Sequence, residues 1–569
     1  MKSLWCDEQA KQYPSPLEQR VYTSRLLGQE PALVLHGGGN TSVKDTVNDF
    51  FGQPQELLYV KGSGWDLATI EAPGFAPVKM DTLMKMAALD DLSDEDMVKY
   101  QRAAMTDPSA PNPSVEAILH AIIPFKFVDH THTDAVVTLT NSPNGEQHMA
   151  DLYGKRVFII PYVMPGFALA KLVYQMTKDI DWNDYDGMVL MNHGLFTFAD
   201  DAKTAYEKTI ELVTEAEEYI ANKNAIIELP QGKAEKLSEQ ELFELATIRQ
   251  KVSQIRGMAT IAKLNRTPIA RQFASEDINA IATRGPLTPD HVIRTKRIAA
   301  IINDSEDTLG EIDTAMNKFV DDYHQYFKDL QDGQTCLNPS PNYAIWQNVG
   351  AIAFGKNIKE TQVIEDINNH TFSSILTAEK IDNYQALPAK DIFDVEYWSL
   401  EQAKLKKTSS VPALAGQIVL VTNACHEASQ GMIKTFLSQG ASVVATDTDS
   451  NVSDLYKQAN CIGITVSDEN PTKGIFVAVK HFGGLDIIVN SDNADALIAR
   501  AEEFQTIGIN ASIIAINGLS GTKGATGASS IRQNQIQVND ATNDEVAAMV
   551  ATMAGATFYN VSNSLVTLG

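Results

Sequence analysis

Two histidines, His130 and His132, stand one residue apart inside residues 113–135. The apolar residues around them, Phe127 and Val128 before and Ala135 to Val137 after, read as a strand. On a strand, side chains i and i+2 face the same side. Two imidazoles on one face form a metal-binding arrangement that needs one or two further ligands. His193 supplies a candidate, at the end of the short apolar stretch 187–191 and just before Gly194. Three imidazoles with one position left for water or substrate are the catalytic form of a zinc site. Upstream, Glu116 lies among Val115, Ile118, Leu119 and Ile122, whose spacing reads as an amphipathic helix.

Two glycine-rich stretches precede these residues, HGGGNTS at 36–42 and KGSGW at 61–65. Each follows an apolar run, 32–35 and 57–60, that reads as a strand. Glycines let a backbone turn sharply and aim successive N–H groups at an anion. Two such loops ahead of a metal site point to phosphate binding, with Lys61 as an added cation.

In this order the motifs resemble the class II aldolase/adducin family, zinc enzymes that cleave ketose 1-phosphates. The matching elements are Gly39 with Asn40 and Ser42, Ser63 with Gly64, Ser114 with Glu116, His130 with His132, and Asn192 with His193 and Gly194. The resemblance covers roughly residues 1–230. It implies Zn²⁺ (or another divalent metal) on His130, His132 and His193, and Glu116 as the catalytic acid/base. It also implies that Gly39, Asn40, Ser63, Gly64 and Ser114 hold the substrate phosphate, and that the protein is a homo-oligomer. The reaction implied is aldol cleavage of a ketose 1-phosphate, rhamnulose-1-phosphate-like, to dihydroxyacetone phosphate and an aldehyde. A sugar-phosphate 4-epimerase uses the same scaffold, and adducin itself is a non-catalytic relative that usually lacks the metal histidines.

The elements that must position these residues come from the rest of the chain. At 569 residues it has room for several domains, and 44% hydrophobic and 21% charged residues are ordinary for a globular protein. A net charge of −26 argues against nucleic acid or an anionic membrane as partner. The phosphorylated sugar must therefore be held by locally built groups. Cys6, Cys336, Cys425 and Cys461 have no paired spacing, so neither a disulfide framework nor a cysteine zinc site is expected. No run has signal-peptide or membrane-spanning character, and the expected location is cytoplasmic.

Residues 16–30 have helical spacing, and Asp200 and Asp201 open a helix from Ala202 to about Asn224. The block 231–400 reads as mainly helical up to 330. It then holds an echo of the metal motif, since residues 348–354 align without a gap on residues 192–198. Residues 285–385 are read as a degenerate half-repeat whose metal position holds Val349, which cannot ligate.

After a polar linker at 401–415, residues 416–569 alternate strands and helices and predict a doubly wound parallel sheet. The expected class is thus α/β, with an N-terminal α/β/α domain and a C-terminal Rossmann-like domain. This last part resembles the short-chain dehydrogenase family. The whole resembles bacterial bifunctional proteins joining a rhamnulose-1-phosphate aldolase-like half to a dehydrogenase half. Residues 285–296 and 394–403 look like that fusion family too.

The glycine positions of the dinucleotide turn, however, hold Asn423, Glu427 and Ser429. Side chains there obstruct a pyrophosphate, and Glu427 adds negative charge. Asp447 keeps the ribose-binding position without the rest of the site. The family's later Asn-Ala-Gly stretch has become Ser491, Asp492 and Asn493. The Tyr-x-x-x-Lys pair is missing, since Asn460 follows Tyr456 and Asn563 follows Tyr559. NAD is not expected as a cofactor; a working NAD(P)-dependent oxidoreductase is the alternative.

Overall fold

The computed structural model describes residues 1–406, 411–467, 470, 472–490, 497, 500, 503–504, 508–509, 511–517, 532–538, 542–554 and 564–568. The chain forms two compact units, each assembled from separated segments. One comprises Met1–Glu228, Thr283–Ile298 and Asp366–Lys407; the other comprises Leu229–Ala282, Ala299–Glu365 and Thr408–Gly569. The block expected at 231–400 is therefore shared between the two. The 401–415 linker and the stretch Ser491 to Asn493 fall partly or wholly outside the described residues, as do Tyr559 and Asn563. No helix among the described residues is long and apolar enough to cross a membrane.

The first unit is built on a seven-stranded sheet. Its strands are β1 (Asn40–Asn48), β2 (Pro54–Lys61), β3 (Phe75–Lys79), β4 (Phe127–Thr131), β5 (Val157–Ile160), β6 (Gly187–Leu190) and β7 (Gly194–Ala199), in the order β3-β2-β1-β4-β7-β6-β5. Alternation along each strand sends side chains to two cores. Val60, Val128, Met188, Phe196 and Phe198 pack on one face with Ile118, Leu119 and Val173. Val189 and Leu195 face the opposite core with Leu26, Val136, Leu212 and Val213. Helices cover both faces, which is the α/β/α layering expected. The helix Pro16–Gly28 starts at a reciprocal cap, Ser15 accepting from the Glu18 N–H while Glu18 reaches back, with proline at the first turn. The helix Ala202–Asn222 starts where Asp201 accepts from the Thr204 N–H.

Two local expectations change. Residues 32–35 form turns, with Leu33 donating to Glu30 and Gly38 to Leu35, and the strand follows the glycine run instead of preceding it. Strand β4 stops at Thr131, and residues Asp134–Thr140 are helical. A run of Ala, Val and Val does not by itself distinguish a buried strand from a buried helix turn.

The second unit holds two sheets. The smaller comprises β8 (Ile261–Asn265), β9 (Ala300–Ile302), β10 (Tyr343–Trp346) and β11 (Gly350–Gly355), in the order β8-β11-β10-β9. Strands β8 and β9 lie in the region read as helical. This sheet repeats β4-β7-β6-β5 in strand order, direction and register. Thr131 pairs with Leu195 as Asn265 pairs with Ala351; Leu190 pairs with Gly194 as Trp346 with Gly350; Ile160 pairs with Leu190 as Ile302 with Trp346. The turn asparagines Asn192 and Asn348 both sit in the left-handed region, at φ 58° and 64°. The half-repeat is thus real in three dimensions and begins at β8, earlier than residue 285. By register, Leu264, Arg266 and Val349 stand where His130, His132 and His193 stand in the first copy.

The larger sheet comprises β12 (Ile418–Val421), β13 (Ser442–Asp447), β14 (Lys457–Gln458), β15 (Cys461–Thr465), β16 (Ile487–Asn490), β17 (Ser512–Asn517), β18 (Arg532–Val538) and β19 (Ser564–Leu568). Apart from antiparallel β14, neighbours run parallel in the order β15-β13-β12-β16-β17-β18-β19, the doubly wound order. Met432, Phe436, Val546 and Val550 cover one face and Ile475, Val479 and Phe482 the other. Leu242 and Ala246, from the helix Glu239–Arg256, join that second core. Arg249 of the same helix makes a buried ion pair with Asp486 at 2.6 Å. The helix Glu239–Arg256 is thereby part of the same body as the Rossmann-like sheet.

Candidate metal centre

Strand β4 is anchored from behind before it presents anything in front. Asp129 points away from His130 and meets Arg20 at 2.5 Å, with both side chains fully buried. Arg20 also donates to the carbonyls of Ser42 and Val128. On the opposite side, His130 donates from Nδ1 to the Leu195 carbonyl at 3.2 Å, which turns Nε2 into the site. His132, just past the strand, brings its Nε2 to 3.1 Å from that of His130. The β6–β7 turn supplies His193, its position set by left-handed Asn192, whose amide donates to the Thr140 carbonyl and Asn141 Oδ1.

Ring centroids of the His130–His132, His130–His193 and His132–His193 pairs are 4.9, 5.0 and 5.0 Å apart. The three offer ligand nitrogens lying within 4.8 Å of one another. Burial holds the imidazoles of His130 and His132 well below their ordinary range, His132 to about 3, so both are neutral and able to ligate. An all-nitrogen triad of this size fits a divalent transition metal such as zinc.

Glu116 faces this triad. Its carboxylate oxygens lie 3.6 Å from His130 Nε2 and 3.7 Å from His193 Nε2. Oε2 accepts from Asn40 Nδ2 at 2.5 Å, whereas Oε1 is buried without a hydrogen-bond partner. Glu116 precedes the helix Ala117–Ile122 and is not within it, with Ser114 Oγ accepting from its N–H at 3.2 Å. That helix is pinned at its other end by Lys44, whose ammonium donates to the carbonyls of His120, Ile123 and Phe125 at 2.8, 2.5 and 2.7 Å. Behind Asn40, His120 Nε2 donates to Asn40 Oδ1, and His120 Nδ1 is 2.8 Å from Ser42 Oγ. A relay of buried polar groups thus holds the Glu116 carboxylate still.

The expected phosphate residues divide. Gly39 is pressed against the metal strand: a Cβ there would meet the His130 carbonyl at 2.6 Å, and φ is 60°. Asn40 is committed to Glu116, and Ser114 caps the Glu116 N–H. Ser63 donates its N–H to the Asn112 carbonyl at 2.8 Å. Gly64, at φ 95°, has nothing within 4 Å of where a Cβ would stand, so it is the open point of the second loop. Lys61 is buried and ties the two loops together through the Gly37 carbonyl at 2.8 Å. Gly194 serves the triad too, since a Cβ there would collide with the Thr131 carbonyl.

Residues far along the chain, one of them in the 285–296 stretch, pair with His132, with Asp134 near it in sequence, or with His36 of the first glycine-rich stretch. Asp290 Oδ1 is 3.6 Å from His132 Nδ1. His36 pairs with Asp366 at 2.9 Å, and His370 with Asp134 at 2.5 Å.

In the second unit, the turn after β12 departs from the sequence reading at two of three positions. Asn423 does replace a glycine, and takes its left-handed conformation at φ 49°. Glu427 is exposed on the first turn of the helix Glu427–Ser438, directed to solvent, and Ser429 is fully buried inside the domain. Asp447 is held by backbone N–H groups, accepting from Cys425 in the turn after β12 at 2.8 Å and from Asp449 of its own loop at 2.9 Å.

Comparison with known proteins agrees with this geometry. The family model described as class II aldolase and adducin N-terminal domain matches residues 18–220, and that of the aldolase class II second domain matches residues 238–405. An uncharacterized oxidoreductase of Bacillus subtilis, YuxG, is 30% identical over 516 residues, covering 86% of this chain and 74% of the relative. The N-terminal class II aldolase domain of a conserved Thermoplasma acidophilum protein is 43% identical, over 39% of this chain and 99% of that one, with a TM-score of 0.36. A short-chain dehydrogenase/reductase from Serratia marcescens is 16% identical, over 27% of this chain and 97% of its own, with a TM-score of 0.22. The chain belongs to the class II aldolase/adducin family, and a doubly wound parallel-sheet domain follows the residues that the two family models match.

Proposed function

We propose that the first unit is a divalent-metal-dependent aldolase that cleaves a ketose 1-phosphate to dihydroxyacetone phosphate and an aldehyde. The observation that supports this reading best is a triad of converging imidazoles faced by a carboxylate with one oxygen held and the other without a hydrogen-bond partner. His130, His132 and His193 would hold the ion, which when bound supplies Lewis-acid stabilisation of negative charge on substrate oxygens. Glu116 Oε1 moves the proton. In the cleavage direction the hydroxyl on the carbon that becomes the aldehyde gives up its proton as the carbon–carbon bond breaks, and Oε1, in its protonated form, delivers one to the carbon left carbanionic; in condensation both transfers reverse. Asn40 keeps Oε2 in place throughout. The loops carrying Gly39, Ser63, Gly64 and Ser114, with Lys61, position the phosphate end, and that positioning lowers the entropic part of the barrier. The test is cleavage of a panel of ketose 1-phosphates by the zinc-loaded protein, with dihydroxyacetone phosphate as readout. Turnover in wild type that is lost in Glu116→Gln supports the reading, and turnover retained in that variant sinks the assignment of Glu116.

For the C-terminal domain we propose loss of dinucleotide binding, supported by the engagement of Asp447 with the backbone N–H groups of Cys425 and Asp449. Calorimetric titration with NAD⁺ and NADP⁺ decides it, and binding at micromolar concentration would refute it. We propose a homo-oligomer as well. Phe50 and Phe51, at the tip of the β1–β2 hairpin, are 96% and 82% exposed, an apolar pair that assembly would cover. An assembly unchanged in sedimentation when both are replaced by serine removes that support.

A further inference from the structure

Residues Thr283–Ile298 leave the four-stranded sheet of the second unit, between its first two strands in the chain, and belong to the first unit. They are firmly seated there. Asn141 Nδ2 donates to the Leu287 carbonyl at 2.8 Å, and Val292 is buried with Ile392 and Val395. Lys296 pairs with Glu396 at 3.1 Å, and Arg284 pairs with Glu379. The segment carries Asp290, a half-buried side chain whose Oδ1 is itself buried without a hydrogen-bond partner and faces His132 Nδ1 across 3.6 Å.

The arrangement of the triad explains why a carboxylate is wanted there. Nε2 of His132 is the nitrogen turned toward His130. An imidazole that ligates through Nε2 carries its proton on Nδ1, and that N–H needs an acceptor to fix the ring. For His130 the acceptor is the Leu195 carbonyl, one strand away. For His132 it is a charged group brought from 158 positions later in the chain. At 3.6 Å the pair is just too long for a hydrogen bond, and a small rotation of either side chain closes it.

We infer that Asp290 is the outer-sphere partner of His132, a positioning residue that orients the ring for metal and raises its donor strength. This rests on the metal-centre reading above and extends it. The second aldolase module, whose own ligand positions hold Leu264, Arg266 and Val349, then contributes to the first module's site through one inserted segment. Metal binding and the order of residues 283–298 become linked: the ion fixes His132, His132 holds Asp290, and Asp290 holds the segment.

The test is zinc affinity of the full-length protein by competition with a chromophoric chelator, for wild type, Asp290→Asn and Asp290→Glu. Asparagine keeps the shape and removes the charge; glutamate restores the charge on a longer arm. Loss of an outer-sphere partner costs about ten- to a hundredfold in metal affinity, so Asp290→Asn should weaken zinc by that factor and Asp290→Glu should recover part of it. A purely structural role would show instead as lowered thermal stability of the metal-free variants with zinc affinity unchanged, and an Asp290→Asn affinity within twofold of wild type overturns the inference. Hydrogen exchange on wild type needs no variant: zinc should slow amide exchange across 283–298, and unchanged exchange there also overturns it. Wild-type protein that takes up no zinc at all would instead overturn the metal centre itself, a separate outcome.

Discussion

Asn40 Nδ2 donates to Glu116 Oε2 at 2.5 Å, so a residue that family resemblance assigns to the phosphate is bound to the carboxylate proposed as acid/base. The two assignments separate in kinetics. If Asn40 orients Glu116, Asn40→Ala lowers kcat and leaves KM nearly unchanged. Removing the carboxylate itself, in Glu116→Gln, should lower kcat by about 10²- to 10⁴-fold with metal content intact. A raised KM at constant kcat in Asn40→Ala would return that residue to the phosphate pocket.

The ion pair behind the metal strand predicts a large stability effect without any contact to substrate. Arg20 and Asp129 are both fully buried, so replacing one leaves the other charged and unpaired. Asp129→Asn should destabilise the first unit by about 3–5 kcal/mol, read as a shift of the denaturation midpoint. A shift below about 1 kcal/mol would mean that water reaches Arg20 and compensates it.

Acid should weaken the metal-free fold through the same histidines that we propose as metal ligands. Burial lowers the imidazoles of His130 and His132 in the folded state, while in the unfolded chain they titrate near about 6.5. Below that pH the unfolded chain binds protons that the folded site refuses. Stability is therefore complete above about pH 6.5 and is lost progressively as pH falls from there toward the folded value of about 3 for His132. The thermal midpoint of the apoprotein should fall between pH 7 and pH 5, and less steeply in His132→Gln. Equal slopes in the two proteins would contradict the burial argument.

Much of the site was legible because its signals are local. The spacing of His130 and His132 survives even though β4 ends between them. The Asn192–His193–Gly194 turn is a left-handed residue, a ligand and a residue with no room for Cβ. The half-repeat was visible at 348–354, where it reuses that turn; β8 escaped because a five-residue strand in a helix-rich stretch has no signal apart from its partner. The glycine run was read as a cradle, yet Gly39 is required by contact with β4, a tertiary fact. The sequence places Ser429 and Glu427 at ligand-facing positions of the turn; helix phase instead buries Ser429 and leaves Glu427 exposed on the first turn. Asp290 could not be found at all, because only folding brings it to His132.

The central claim is the metal centre, and metal content per chain tests it most directly. Elemental analysis of purified wild-type protein after zinc loading and exhaustive dialysis should give about one ion per chain, and His132→Ala analysed beside it should give little. Wild-type protein left without zinc, nickel, cobalt, manganese or iron after the same treatment would contradict the account and remove the basis for its aldolase chemistry.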